Sequence, residues 1–204
     1  MKKAAIVIFL VLILDQALKV WIKLNMTIGE EISVFDQWFY LYFTENNGMA
    51  FGMQFGGEWG KMSLSIFRIL AVTVIGFYLV ALCRRKKPAG LIISISLIFA
   101  GAMGNIIDSA FYGLLFTQSS YHTVAQLAAE GNHYSSFLHG KVVDMLYFPV
   151  INISQTELPA WIPDFILGAD GRFIFFRPIF NIADSSITIG VFWLIFFQRK
   201  NLKL

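Results

Sequence analysis

Four long apolar runs limit what this chain can fold into. They extend over Ala4–Leu24, Met62–Cys83, Ala89–Tyr112 and Ile179–Phe197. Each is close to the ~20 residues with which an α-helix crosses ~30 Å of hydrocarbon. Of the 204 residues, 57% are hydrophobic and only 14% are charged, whereas soluble domains average about 25% charged residues. The runs predict an integral membrane protein with four spans and exclude a soluble, disordered or coiled-coil chain.

The basic residues predict the orientation of the spans. Nine of the 16 lysines and arginines lie in three short segments on one side of a four-span arrangement, which hold no acidic residue. They are Lys2, Lys3, Arg84, Arg85, Lys86, Lys87, Arg199, Lys200 and Lys203. Because cytoplasmic loops carry an excess of Lys and Arg, both termini and the loop at 84–88 are expected in the cytoplasm. Segments 25–61 and 113–178 are then expected outside, as parts of one domain over residues 1–204.

The outer segments carry patterns of their own. Ile32–Phe43 is rich in β-branched and aromatic residues, which predicts strands along the membrane surface. Thr123–Glu130 is expected to form a short helix, and Lys141–Val150 an extended stretch that ends at Pro149. The predicted fold is therefore an all-α membrane protein. It has four transmembrane helices, a small extracytoplasmic β platform and an outer loop insertion.

Polar side chains inside the spans need an explanation, because an ionisable group at that depth costs about 2.5–3.5 kcal/mol. The candidates are Asp15, Lys19, Arg68, Asn105, Asp108, Asn181 and Asp184. At ~1.5 Å per residue from the cytoplasmic end, Asp15 lies at ~18 Å, Asp108 at ~31 Å and Asp184 at ~22 Å. Three helices thus bring carboxylates to the outer half of the bilayer, and Asp144 follows just outside it.

Structural roles account for some of these residues equally well. Asp15 and Lys19 are spaced i, i+4 and can form an ion pair on one helix face. Arg68 lies near an outer helix end and is expected to extend to the lipid headgroups. An Asn–Asp pair spaced i, i+3 occurs in both the third and the fourth run, and one such pair is explained by helix–helix contacts. Two pairs at similar depth favour a site.

Paired carboxylates suggest a chemistry that requires no metal and no cofactor. When two of them share a proton, one can activate water while the other protonates a leaving amine. A zinc site is not expected, because no HExxH motif occurs and His122, His133 and His139 lack the spacing of ligands. The single cysteine, Cys83, excludes an internal disulfide.

Two other functions remain as alternatives. A small proton-coupled transporter would use Asp15, Asp108 and Asp184 as a relay. The cytoplasmic half of every run is apolar, which leaves that relay without a path across the membrane. A non-catalytic scaffold is the other alternative.

Five short motifs follow one another along the chain. They are Asp15-x-x-x-Lys19, Asn46-x-Gly48-x-Ala50-Phe51, Gly101-x-x-Gly104-Asn105-x-x-Asp108, Gly140-x-Val142-Val143-Asp144 and Phe180-Asn181-x-Ala183-Asp184. Together with the four spans, they resemble bacterial lipoprotein signal peptidase, or signal peptidase II. The motifs cover the chain from Asp15 to Asp184.

This resemblance implies an aspartic endopeptidase of the inner membrane with its active site near the outer leaflet. The family cuts diacylglyceryl-modified prolipoproteins just before the lipid-bearing cysteine and is the target of globomycin. Its catalytic aspartates match Asp144 and Asp184. Its substrate-binding or supporting residues match Asp15, Lys19, Asn46, Gly48, Asn105, Asp108 and Asn181. We expect membrane lipids and the prolipoprotein as partners, a monomer, no cofactor and no nucleic acid.

The chain also departs from the family's pattern. Ser109 follows Asp108 where much of the family has Arg, and Lys141 is expected to supply the missing cation. Ala102 stands where a second Gly is common. The stretches at 109–139 and 152–172 are longer than in compact members.

Overall fold

The structure is a computed structural model, and it describes residues 1–36, 38–47, 57–157, 159, 163, 167–168 and 171–201. Within these ranges, three helices are long and apolar enough to cross a membrane: Lys2–Asn25, Met62–Arg84 and Ala89–Leu115. They coincide with the first three predicted spans. Gly48, Ala50 and Phe51 of the second motif lie outside the described residues.

The helices follow the apolar runs closely. Helix α1 is Lys2–Asn25 and ends where Met26 adopts an extended conformation. Helix α2 is Gly57–Arg84. Helix α3 is Ala89–Ile107 and continues through a π-helical turn, Asp108–Tyr112, into the short helix α4, Gly113–Leu115.

Four strands form an antiparallel sheet beside the helix ends. Strands β1 (Glu31–Phe35) and β2 (Phe39–Asn46) are the predicted platform, and β3 (Val142–Tyr147) is the predicted extended stretch. The sheet order is β1-β2-β3-β6, in which β6 is Ile179–Phe180.

Strands β4 (Ile151–Ser154) and β5 (Arg172–Phe175) form a separate two-stranded sheet that the sequence analysis did not predict. The fold therefore combines apolar helices with two small antiparallel sheets. A purely α-helical class is too simple a description.

The fourth apolar run contains both a strand and a helix. Ile179 and Phe180 pair with Tyr147 and Leu146 of β3, so the predicted start of a helix at Ile179 is wrong. Helix α5 is Ile182–Trp193, continued by a π-helical turn, Leu194–Gln198, and a 3₁₀ turn, Arg199–Asn201. Hydropathy alone does not distinguish a short apolar strand from the first turn of an apolar helix.

The short helix predicted at Thr123–Glu130 is wrong. This segment runs back along residues 115–117, with the Thr117 amide donating to the Gln126 carbonyl and the Ala128 amide to the Leu115 carbonyl, both at 2.9 Å. An isolated bridge joins Phe116 and Leu127. Backbone pairing across the insertion thus replaces the local bonds of a helix.

Small residues let α3 and α5 approach closely. A Cβ added at Gly101 of α3 would lie 2.7 Å from Ile187 Cγ1, and one at Gly190 of α5 would lie 2.8 Å from Ser94 O. Such close approach is typical of helix contacts in membranes. It brings the polar residues of α3 next to the first turn of α5.

A buried apolar cluster fixes the sheet to the helices. Its members come from the end of α1, from the turn after α3, from the insertion and from strands β2 and β3: Ile22, Met26, Phe43, Tyr112, Phe116, Val143 and Met145. The cluster holds β3 directly beside the end of α1 that is farthest from Lys2.

Candidate active site

A buried cluster of three charges lies beneath the sheet. Lys19 Nζ is 2.9 Å from Asp15 Oδ2 and 2.8 Å from Asp108 Oδ2, and no side chain of the three is more than 1% exposed. Gln16 Nε2 donates to the same two carboxylates at 3.1 and 2.9 Å. The ion pair expected between Asp15 and Lys19 is present, and Asp108 extends it to a second helix.

The remaining oxygens of these carboxylates bind the backbone of other elements. Asp15 Oδ1 accepts a 2.8 Å hydrogen bond from the Ala183 amide. This amide is in the first turn of α5, where the helix dipole favours a negative charge. Asp108 Oδ2 accepts from the Val143 amide of β3 at 3.3 Å. The cluster thus connects α1 and α3 to β3 and α5.

Asn105 connects the charge cluster to the remaining site residues. Its Oδ1 accepts from Lys19 Nζ at 3.0 Å and from Asn181 Nδ2 at 3.1 Å. Since both neighbours are donors, the orientation of the amide is determined. Asn105 Nδ2 then faces α5 and donates to Asp184 Oδ1 at 2.8 Å.

Asn181 occupies the junction of β6 and α5 and has two functions there. Its Oδ1 accepts a hydrogen bond from the backbone amide of Asp184 at 2.8 Å. Its own backbone amide donates to Asp184 Oδ2, and the two bonds form a capping box. Its Nδ2 donates to Asp144 Oδ1 at 2.7 Å. One residue therefore begins the helix that carries Asp184 and also holds Asp144.

Each asparagine of the two Asn–Asp pairs binds a carboxylate outside its own pair, although Asn181 also caps the helix at Asp184. Asn105 binds Asp184 rather than Asp108, and the side-chain amide of Asn181 binds Asp144. Each asparagine reaches across to a carboxylate of another element. A continuous chain of hydrogen bonds therefore joins Asp144 to Asp184.

Asp144 lies in β3 and is only 4% exposed. Asn181 donates to one carboxylate oxygen and Asn46 of β2 donates to the other. Burial, reinforced by the charge of Asp184, raises the pKa of Asp144 from 3.8 to about 7, although the charge of Lys19 and both amides act in the opposite direction. Asp184 is half-buried. A carboxyl group that titrates near neutrality beside a second carboxylate is suited to acid–base chemistry.

The cations around these carboxyl groups differ from the expected ones. Lys141 does not supply the charge that Arg would contribute at position 109, because its Nζ lies 3.5 Å from Glu45 Oε2. Ser109 Oγ donates to the Asn105 carbonyl within its own helix at 3.1 Å. Arg68 of α2 is instead near enough to Asp184 and Asp144 for their charges to interact. From its depth, Arg68 was expected to extend to the headgroups, because depth alone does not reveal which face of a helix a side chain occupies.

His139 of the outer loop contacts residues of its own segment. His139 Nδ1 contacts Ser136 Oγ and the Phe137 carbonyl, both at 3.0 Å. Among the residues that the structure describes, no group of three or more His, Cys, Asp or Glu side chains has an arrangement that could hold a metal ion.

Known proteins of similar sequence belong to one family. The family model for signal peptidase (SPase) II matches residues 7–199. A lipoprotein signal peptidase of Porphyromonas gingivalis (strain ATCC 33277) is 42% identical over 204 residues, all of this chain and 85% of the relative. That of Amoebophilus asiaticus (strain 5a2) is 35% identical over 197 residues, 95% of this chain and 76% of the relative.

Solved structures of similar fold are also known. Two are of bacterial membrane enzymes determined by the in meso method, at 2.3 Å and 1.9 Å resolution. They match with TM-scores of 0.60 and 0.59 and identities of 26% and 27%. Each match covers 100% of this chain, and 91% and 94% of the respective solved chains.

Proposed function

Because the chain belongs to the signal peptidase II family of bacterial membrane peptidases, we propose that it is an aspartic endopeptidase with Asp144 and Asp184 as its catalytic pair. Its substrates are diacylglyceryl-modified prolipoproteins, which it cuts just before the lipid-bearing cysteine. The observation that carries this proposal is the buried amide chain Asp144–Asn181–Asn105–Asp184. It holds two carboxyl groups of different elements side by side.

The raised pKa of Asp144 supports one assignment of roles within the pair. Below about pH 7 Asp144 retains a proton, and in the proposal Asp184 acts as the base. Asp184 takes a proton from water while the water oxygen attacks the scissile carbonyl carbon, and Asp144 gives its proton to the carbonyl oxygen. Asp184 then protonates the leaving nitrogen and Asp144 takes a proton from a hydroxyl as the C–N bond breaks. Both groups return to their starting states, so the cycle requires no cofactor.

The other site residues support this chemistry in the proposal. Asn46, Asn105 and Asn181 orient the pair through hydrogen bonds to its oxygens. The buried ion cluster of Asp15, Lys19 and Asp108 holds Asn105 in place through the hydrogen bond from Lys19. Gly48 is proposed as a substrate-binding residue from its motif.

The membrane arrangement follows from the same assignment. The helical run at 182–201 contains 20 residues and is ~30 Å long, enough for a fourth span. Both termini and the loop at 84–88 are then cytoplasmic, and the site lies near the outer leaflet. Phe35 and Trp38, at the turn of the β1–β2 hairpin, are 57% and 54% exposed, and exposed aromatic side chains suit the membrane interface. The lipid chains of the substrate remain in the bilayer while the sheet holds the peptide above it.

A cleavage assay with matched variants tests the proposal. The protein is purified in detergent as wild type, Asp144→Asn, Asp184→Asn and Asp36→Asn, the last an exposed acid of the platform. The size shift of a diacylglyceryl-modified prolipoprotein is then followed, with globomycin as inhibitor. We expect each site variant to lose at least ~100-fold in rate while it keeps a cooperative thermal unfolding transition, as Asp36→Asn does. Cleavage at the wild-type rate by either site variant would overturn the catalytic pair, and equal cleavage of unmodified prolipoprotein would overturn the substrate class.

A further inference from the structure

A cavity lies at the end of the helices opposite to the site. It has a volume of about 420 Å³ and is lined by four lysines, Lys2, Lys3, Lys86 and Lys87, together with apolar groups that include Cys83 and Ile92. We call it the basic cavity. Helix α1 spans 24 residues, which places the basic cavity ~30 Å or more from the sheet.

Two separate segments build this cavity. Lys2 and Lys3 begin α1, whereas Lys86 and Lys87 belong to the turn between α2 and α3. Lys86 has a φ of 52°, a left-handed conformation that reverses the chain direction after α2. The turn thereby brings two lysines against the two at the start of α1.

A packed apolar floor fixes the shape of the cavity. Beneath it, Ala4 of α1, Leu79 and Leu82 of α2, and Leu91 and Ile95 of α3 form one buried cluster. Cys83 and Ile92 pack against the edge of that cluster and also line the cavity. The four lysines therefore surround a cavity whose floor is the packed contact of α1, α2 and α3.

The basic cavity carries positive charge that no residue described in the structure neutralises. No acidic residue lines it, and no hydrogen bond or ion pair of the described residues involves the ammonium groups of its four lysines. The first turns of α1 and α3 also lie at this cavity, and neither has a side-chain cap on its amides. Helix N-termini add partial positive charge and free N–H donors.

We propose that the basic cavity binds the phosphate headgroup of an acidic phospholipid. Four lysines line the cavity and two helix N-termini begin at it, a combination that attracts a phosphate-sized anion. The apolar floor and the lipid-facing surfaces of α1 and α2, where Ile6 and Val80 are exposed, provide contact for acyl chains. A lipid meets both conditions, whereas a free phosphate ion meets only the first. This inference concerns a surface remote from Asp144 and Asp184 and does not depend on the proposed peptidase activity.

Lipid titration with charge-matched variants tests this inference. The full chain, stripped of lipid in a neutral detergent, is titrated with phosphatidylglycerol or phosphatidylcholine, and bound lipid is counted by native mass spectrometry. Lys86→Gln/Lys87→Gln removes two cavity lysines, and Lys2→Gln/Lys3→Gln removes the other two. The control Arg84→Gln/Arg85→Gln removes two charges from the same turn but outside the cavity.

Each outcome supports or overturns the inference. At about fivefold in affinity for each lysine near an anionic lipid, either lysine pair is expected to lose more than ~10-fold for phosphatidylglycerol. The arginine control is expected to lose less than about twofold. Equal loss in all three variants would mean diffuse attraction and would overturn the site, as would phosphatidylcholine binding of equal strength. Displacement of the bound lipid by millimolar inorganic phosphate would assign the cavity to free anions instead.

Discussion

At the scale of single residues, Asp144 couples the chemistry of the site to pH. Its pKa is raised to about 7 in the folded protein, first by burial and then by the charge of Asp184. In the unfolded chain the same carboxyl group titrates near 3.8. The folded state therefore binds a proton more tightly than the unfolded state between these two values.

This shift predicts how both stability and activity depend on pH. The unfolded state binds fewer protons in that window, so the free energy of unfolding falls as pH rises from about 4 to about 7. Cleavage is expected to fall as pH rises above about 7, because Asp144 then lacks the proton it donates. Thermal unfolding of wild type and Asp144→Asn in detergent measures the first effect. If the stability of wild type and of Asp144→Asn changes equally with pH between about 4 and about 7, the assignment of the titration to Asp144 is wrong.

Lys19 is predicted to be more important for stability than any exposed lysine. Lys19→Met leaves Asp15 and Asp108 buried without their cation, and loss of one partner of a buried pair costs ~3–5 kcal/mol. Lys200→Met, at an exposed helix end, is the matched control and is expected to be near neutral. Thermal or detergent-induced unfolding measures both.

A second variant separates charge from packing at Lys19. Lys19→Met/Asp108→Asn removes one of the stranded carboxylates and is expected to recover part of the lost stability. Equal instability of the single and double variants would mean that the lysine stem, rather than its charge, stabilises the fold.

The depth of the polar residues along their helices predicted which of them lie together better than it predicted what each of them binds. Asp15, Asp108 and Asp184 were expected at similar height, and the structure brings them into one connected cluster. Depth did not reveal that Asp108 binds Lys19 while Asp184 binds Asn105, since that depends on the rotation of each helix about its axis. The buried Lys23 was not among the polar residues predicted to matter, because it lies at the end of the first apolar run.

At the scale of elements, a buried ion pair joins α1 to the sheet. Lys23 and Glu45 are 0% and 2% exposed and pair directly, and Ser119 Oγ of the insertion lies 2.9 Å from Lys23 Nζ. Glu45 is opposite Val143 in the β2–β3 register and precedes Asn46. This contact therefore holds the strand pair that carries Asn46 and Asp144.

A double-mutant cycle tests this connection. Lys23→Met removes the closer of two cations from the buried Glu45 carboxylate, which keeps Lys141 and Ser119 as partners. We expect it to destabilise the protein and to slow cleavage by displacing Asn46. Lys23→Met/Glu45→Gln removes both charges and is expected to be more stable than the single variant by ~1–3 kcal/mol. Unfolding and cleavage are measured on the same preparations. A double variant no better than the single one would contradict a role for the charge pair.

The elements that the sequence predicted well are those with a long apolar run or a long run of β-branched and aromatic residues. Three apolar helices and the strands β1 to β3 lie where periodicity and composition indicated. The pair β4–β5 was not predicted, because its partners are joined through a long intervening segment. Helix α5 begins three residues later than predicted, at Ile182. The preceding residues pair as β6, and Asn181 forms the capping box that starts the helix.

At the scale of the whole molecule, the proposed orientation gives opposite exposure to the two ends of the helices. Cys83 is the only cysteine in the chain, so a Cys83→Ser background accepts single reporters. Lys86→Cys and His122→Cys both place a thiol at an exposed position. In intact spheroplasts, a membrane-impermeant maleimide is expected to label His122→Cys and not Lys86→Cys. Inverted vesicles should reverse the result, and labelling of both from one side would contradict the topology.

Asn181 gives the molecule an order of assembly. Along the chain, Lys19 and Asp108, which pair in the fold, are synthesised long before Asn181 and Asp184. Asp144 emerges later and receives its Asn181 hydrogen bond only when α5 begins to form. A partly synthesised chain therefore lacks both the second carboxylate and the amide that holds the first. In the proposed mechanism, the site is therefore incomplete until the last helix has been inserted.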